Sequence, residues 1–300
     1  MLQQTRIAVV EPAYRRFLES FPTLAALAEA AEEDVLAAWS GLGYYSRARA
    51  LHAAARQLHE RGKRSFPKTW EEAIALPGVG SYTAAAVLSI AWGRPHAAVD
   101  GNVVRVLSRL ERLGRPGTRG EPHASLADRL LARERPGDWN QAVMELGETI
   151  CLPRAPLCAQ CPLRANCAAH ASGNPEDHPP PKKRRATERV GLELAVVRDT
   201  SGNLLLERGA FEYLDHLWLP PMRRLPAPPA DAHFRHAIVH RIFEVIVVDE
   251  KVDARTLARR ARVESGAKVE RRIVAPGELA SLGRSSLLTK ALRHLERTQD

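Results

Sequence analysis

"LPGVGSYTAAAVLSIAWGRPHAAVDGNVVRVLSRL", residues 76–110, decides the fold. Helical patterns at 70–76 and 81–92 flank a tight Gly78-Val79-Gly80 turn, and glycine at both ends permits positive φ and close approach by a partner. The helix that starts near Ser81 aims unpaired N–H groups outward, which makes Gly78, Val79 and Gly80 a candidate site for one backbone phosphate of a nucleic acid. A plain connection between two helices could carry the same glycines. Asp100 follows in "AVDGNVV", just before a third helical pattern at 101–112. Its bland role is N-cap of that helix. The cap is compatible with chemistry, because a capping carboxylate sits at the positive end of the helix dipole and stays ionised.

Outward from this stretch, residues 1–170 read as helices joined by short loops, with further patterns near 2–19, 23–30, 33–40, 46–60, 123–133 and 138–150. Strand patterns are missing there. "ASGNPEDHPPPKKRRATE", 171–188, is Pro-rich and charged and reads as a linker between domains. Beyond it the period changes. "VGLELAVVRD", the turn "TSGN" and "LLLERG" read as a β-hairpin, "HAIVHRIFEVIVVDE" as further strand, and a helix near 284–297 closes an α+β domain at 189–300. The opening "MLQQTRIAVV" already follows helical spacing, yet nothing caps a helix before Leu2.

All four cysteines lie in "CLPRAPLCAQCPLRANC": Cys151, Cys158, Cys161 and Cys167. Four cysteines in one loop of an otherwise cysteine-free chain argue against disulfides in a cytoplasmic protein. The remaining choices are zinc and a [4Fe–4S] cluster, both of which take four thiolates. One C-x-x-C flanked by single cysteines at longer reach favours the cluster over the paired knuckles usual for zinc. No apolar run is long enough for a membrane span and no secretory signal precedes the first helix, so the expected partner is not a membrane. The net charge of +9 suits a polyanion, and 37 of the 44 basic residues are Arg, which grips phosphate bidentately.

In this order, "LPGVGSYTA", "VDGNV" and the four-cysteine loop resemble the helix-hairpin-helix DNA glycosylases. Within them, "MLQQT" (1–5), "GLGYYSRARALH" (41–52) and "MELG" (144–147) resemble the MutY-type adenine DNA glycosylases. The likeness is dense over 1–170 and looser over 189–300, which is similar to that family's Nudix-like C-terminal domain. It implies a multidomain protein: an all-α glycosylase domain with a cluster loop, then an α+β Nudix-like domain. The implied reaction is hydrolysis of the N-glycosidic bond of adenine mispaired with 8-oxoguanine or guanine, with the base flipped out of the duplex. By that likeness Asp100 stabilises the sugar cation, Glu145 holds adenine, Tyr82 lines the substrate site, and Gln4 and Tyr44 wedge into the duplex. Arg154 and Arg164 on the cluster loop are expected to contact DNA, and the protein is expected to act as a monomer. An endonuclease III-like lyase would need a Lys just after the hairpin for its Schiff base; Tyr82 stands there, and Lys63 and Lys68 lie elsewhere.

The C-terminal region lacks the Glu-rich helix with which a Nudix hydrolase holds Mg²⁺, so it reads as a binding module for 8-oxoguanine. "LDHLWLPP" (214–221) resembles the family's loop, while the family's Phe-Ser-His reader stands here as Ile238-Val239-His240, leaving His240 as the polar reader. The likeness also places a general-acid Glu two residues ahead of "MLQQT". Met1 is therefore expected to be an internal methionine, and the alternative function for the chain as given is a mismatch-DNA-binding protein with impaired catalysis.

Overall fold

The computed structural model describes residues 1–3, 5, 7–117, 120–181, 186–238, 240–262, 268–283 and 285–298. Packing divides the chain into two compact units, Met1–His59 with Arg185–Asp300, and Glu60–Arg184.

The unit Glu60–Arg184 is helical. It holds α5 (Trp70–Ile74), α6 (Ser81–Trp92), α7 (Gly101–Glu111), α8 (His123–Leu130), α9 (Pro136–Thr149), two short 3₁₀ turns in the cysteine loop, and α10 (Ala168–Ala171). Helix α9 lies against both α6 and α7, and glycine sets the closeness of each crossing. A Cβ on Gly137 would meet the Ser89 carbonyl oxygen at 2.8 Å, and one on Gly147 would meet Asn102 Cβ at 2.7 Å. Between the two crossings, buried Asn140 of α9 staples the loop that leads to Asp100. Its Oδ1 accepts the Ala98 N–H at 2.8 Å, and its Nδ2 donates to Ser89 Oγ at 2.8 Å and to the His96 carbonyl at 2.9 Å. Three bonds satisfy an amide that would otherwise be costly to bury.

The other unit joins helices to a sheet. Its first four helices are α1 (Ile7–Ser20), α2 (Leu24–Glu29), α3 (Glu32–Ala38) and α4 (Ser46–Glu60). The strands are β1 (Glu188–Arg198), β2 (Leu204–Arg208), β3 (Met222–Arg224), β4 (Phe234–Ile238), β5 (Arg241–Lys251) and β6 (Glu270–Val274), ordered β4-β5-β1-β2-β6, with β3 also paired to β1. The expected hairpin is β1–β2, with Arg198 opposite Leu204. Its turn is locked by Asp199, whose Oδ1 accepts the N–H groups of Ser201 and Asn203 at 2.9 Å each, an Asx turn. "HAIVHRIFEVIVVDE" is two antiparallel strands rather than one, broken between Ile238 and Arg241, and β5 runs parallel to β1. Helix α12 (Ser286–Arg297) covers one face of the sheet with Leu287, Leu288, Ala291 and Leu295. On the other face Leu257 of α11 (Ala254–Ala261) packs on Val197 and Leu205. Leu217 of the 214–221 loop is fully buried among Phe17, Leu36 and Trp39, so this loop bonds the sheet to α1–α3.

Helix α1 starts at Ile7, not near residue 2. Met1, Gln3 and Thr5 are instead tied down by Arg47, whose guanidinium donates to the carbonyls of Met1, Gln3, Leu42 and Gly43 and to Thr5 Oγ1. Among the described residues no helix is long and apolar enough to cross a membrane.

Candidate active site

The hairpin turn has the conformation its glycines suggest at one end only. Gly78 adopts φ +71°, which glycine alone takes freely. Gly80 is extended at φ −86° and N-caps α6 with no side-chain acceptor, and a Cβ there would meet nothing within 4 Å. The head of α6 is thus open.

Asp100 N-caps α7, as expected. Its Oδ1 accepts the Val103 N–H at 2.7 Å and its Oδ2 accepts Asn102 Nδ2 at 3.1 Å. Asn102 Oδ1 in turn accepts Arg105 Nη2 at 2.9 Å, and Arg105 also donates to the carbonyls of Gly147 at 2.6 Å and Cys151 at 2.7 Å. One chain of bonds therefore runs from the carboxylate, across the α7–α9 crossing, to the start of the cysteine loop. Tyr82 lies on the first turn of α6, and its hydroxyl donates to Met144 Sδ at 3.4 Å. Burial first, and the Asp100 charge second, hold its phenol above the ordinary value, so it stays protonated beside the carboxylate. Glu145, next to Met144 on α9, is exposed. Neither Lys63 nor Lys68 is free: Lys63 pairs with Glu72 at 3.6 Å, and Lys68 Nζ lies over the Trp92 ring at 4.6 Å.

Cys151, Cys158, Cys161 and Cys167 are all free thiols and line one small cavity together with Arg109, Arg164 and His170. Burial raises the Cys158 thiol, the three neighbouring cysteines raise it further, and Arg109 opposes them. Arg109 is the residue that sequence reasoning missed. It is 2% exposed. Its Nη1 donates to Cys151 Sγ at 3.3 Å and to the Leu152 carbonyl at 2.7 Å, Nη2 to the Pro153 carbonyl at 3.1 Å, and Nε to the His178 carbonyl at 3.1 Å. Carbonyls satisfy its donors, yet no carboxylate is among these partners. A buried cation calls for an opposite charge nearby, which the cysteine sulfurs would supply as thiolates on a bound metal group. Among the described residues no three His, Cys, Asp or Glu side chains stand together as the ligands of a single metal ion. Four cysteines around one cavity are the donor set of a group held by four thiolates. Arg154 and Arg164 of this loop are exposed, as DNA contacts must be, and Arg164 Nε donates to His170 Nε2 at 3.0 Å.

Gly78–Gly80, Tyr82, Asp100, Glu145 and the four cysteines thus fall in one compact unit; Tyr44 and His240 fall in the other. Tyr44 is 57% exposed, adopts φ +47°, and lies under the Arg47 guanidinium at 5.4 Å. A left-handed tyrosine held out into solvent is no core aromatic. His240 stands in the β4–β5 turn with Nδ1 buried and without a hydrogen-bond partner among the described residues. Gln4 and Val239 lie outside the described residues.

Residues 1–128 match the family described as HhH-GPD superfamily base excision DNA repair protein. An adenine DNA glycosylase of Schizosaccharomyces pombe is 45% identical over 179 residues, 58% of this chain and 39% of that protein. That of Homo sapiens is 46% identical over 178 residues, 56% and 32% of the two chains, and that of Buchnera aphidicola subsp. Schizaphis graminum 32% identical over 188 residues, 62% and 54%. The chain thus spans between about a third and a half of the length of these relatives. Among solved structures, a thermostable thymine-DNA glycosylase superposes with a TM-score of 0.52 at 28% identity, over 57% of this chain and 80% of that one. An endonuclease III trapped as a covalent intermediate with DNA also superposes with a TM-score of 0.52, at 25% identity, over 57% and 81%. The resemblance to MutY-type adenine DNA glycosylases is borne out over somewhat more than half of the chain.

Proposed function

We propose that the chain is an adenine DNA glycosylase that removes adenine mispaired with 8-oxoguanine or guanine in duplex DNA, in base excision repair, and leaves the strand uncut. The observation that carries this reading is the Asp100 carboxylate at the head of α7, oriented by Val103 N–H and Asn102 and neighboured by Tyr82 where a lyase has lysine. Adenine leaves the stack before its bond can break. Departure of the base leaves an oxocarbenium-like sugar, and a carboxylate kept ionised by a helix N-terminus is the group to face that cation. A Schiff base would need an amine; Lys63 and Lys68 are engaged elsewhere, and Arg stays protonated. Glu145 is assigned to adenine, Gln4 and Tyr44 to wedging the duplex, and the open head of α6 to one phosphate. The protein acts as a monomer on one mispair.

We assign Cys151, Cys158, Cys161 and Cys167 to a [4Fe–4S] cluster, supported by the free thiols around one cavity and by the buried, carboxylate-free Arg109. The cluster supplies structure, fixing the loop that presents Arg154 and Arg164; hydrolysis asks no electron of it. The sheet unit is assigned as a Nudix-like module that reads 8-oxoguanine, supported by the buried Nδ1 of His240 in the β4–β5 turn, which has no hydrogen-bond partner among the described residues.

The test is adenine release from an A:8-oxoguanine duplex at enzyme excess, alongside duplex binding, for the chain and for Asp100→Asn. Asn keeps the cap's shape and removes the charge, so release should fall roughly 10²–10³-fold while binding holds. Tight mismatch binding with no release, and none lost on substitution, would make this a mismatch-binding protein; neither binding nor release would sink both readings.

A further inference from the structure

We infer that the sheet unit carries a nucleotide pocket outside the residues assigned above, one that takes a guanine-type base with its phosphate. A cavity of about 310 Å³ opens on the face formed by β1, β3 and β5. That is the low end of the range for small-molecule sites, roughly 300–1,000 Å³, and suits one base with its sugar. Its floor is Val190 and Leu192. Farther along this face α12 covers the strands; here the cover is the 210–213 loop, which leaves the cavity open.

The wall is aromatic. Phe211, Tyr213 and Phe243 stand around one another with ring centroids 5.4, 5.4 and 5.9 Å apart, all edge-on or tilted. None is stacked flat on another within this set, and Phe211 and Tyr213 are partly exposed and so can meet a planar guest. The mouth is charged. Arg241 Nε and Arg224 Nη2 share one carboxylate, Glu188, at 2.6 and 3.1 Å, and the Arg241 guanidinium also lies over Tyr213 at 4.9 Å. Glu188 takes the Nε of Arg241 and the Nη2 of Arg224, which leaves further N–H groups on both guanidiniums, and Arg is the side chain that holds phosphate bidentately. Glu212 lines the cavity, is exposed, and has no ion-pair partner among the described residues. A carboxylate accepts two hydrogen bonds side by side, and guanine offers adjacent N1–H and N2–H donors where adenine does not. Stacking, phosphate and edge recognition therefore meet in one pocket of the right size.

This site goes beyond the reading of 8-oxoguanine by the His240 turn, and its test needs no excision, so the two can fail separately. The full chain is titrated calorimetrically with deoxyguanosine 5′-monophosphate, its 8-oxo form and deoxyadenosine 5′-monophosphate. Both guanine nucleotides should bind saturably at one site, and the adenine nucleotide at least about tenfold more weakly. Tyr213→Leu and the surface change Arg224→Ala should each weaken binding by about tenfold, Arg224→Ala with melting temperature unchanged, and Glu212→Gln should erase the guanine preference while binding remains. A single-stranded oligonucleotide with one guanine distinguishes the sources: displacement of the mononucleotide assigns the pocket to bases of DNA, and lack of displacement assigns it to free nucleotide. No saturable binding at millimolar concentration, or binding that Arg224→Ala and Glu212→Gln both leave unchanged, would overturn the inference.

Discussion

Gly147→Ala tests whether the α7–α9 crossing holds the site together. The new Cβ would stand 2.7 Å from Asn102 Cβ, 3.1 Å from its carbonyl oxygen and 3.2 Å from its carbonyl carbon. None of these is the end of a flexible side chain, so relief requires the helices to part. Overpacking of this kind costs about 1–3 kcal/mol. Against it stands the helix-propensity gain of alanine over glycine, about 0.8–1.0 kcal/mol. Gly101→Ala is the clash-free reference, because Gly101 opens α7 and a Cβ there would meet nothing within 4 Å. The two variants should therefore differ by about 1–3 kcal/mol whatever the exact propensity. For a chain of this size 1 kcal/mol moves the melting temperature by about 2–4 °C, so Gly147→Ala should melt about 2–12 °C below Gly101→Ala. Adenine release should fall too, since the displaced Asn102 is the residue that donates to Asp100 Oδ2. Equal melting of the two variants would show that the crossing is loose and that α9 does not position the carboxylate.

Arg109→Met should remove the cluster, read as loss of iron and of visible absorption in anaerobically purified protein; Arg109→Lys should keep part of it, because charge remains but the fan of bonds to the Cys151 thiol and three carbonyls does not. His236 is buried in β4 and burial lowers its pKa from 6.5 to about 4, with Lys290 adding to the effect. The unfolded chain therefore binds the extra proton between pH 6.5 and about 4, so stability should fall as pH drops through that window, and urea titrations of His236→Gln should lose this slope. Val239→Ser restores a hydroxyl beside His240 and should sharpen the preference for 8-oxoguanine over guanine by several-fold, the worth of about 1 kcal/mol, in paired rate measurements.

Local rules made much of this chain legible. Asp100 caps α7 with the bond to Val103 that the sequence pattern implies, and helices expected at 46–60 and 81–92 occupy those residues. Non-local packing was not legible. Arg109 looks like one more charge on an arginine-rich helix, and only the return of a loop 42 residues later buries it against Cys151. Its one local signal is its place four residues after Arg105, on the side of α7 that meets the cysteine loop. Gly147 reads as an unremarkable helix residue until α7 is laid across it. Nor does any motif announce that residues 1–59 pack with 185–300, because Leu217 and the Phe17–Trp39 core lie far apart in sequence. The start of α1 was misplaced for a related reason: spacing from Leu2 onward is helical, but Arg47 competes for the carbonyls of Met1 and Gln3.

That competition also bears on how the start of the chain can evolve. Arg47 fastens Met1, Gln3 and Thr5 to the Tyr44 loop through the main-chain oxygens of Met1, Gln3, Leu42 and Gly43 and through the Thr5 hydroxyl. Main-chain oxygens are the same whatever the side chain, so mutational drift at positions 1 and 3 leaves those bonds intact. Selection can adjust the side chains there without rebuilding what holds them, while a change at Arg47 itself unfastens all three residues at once.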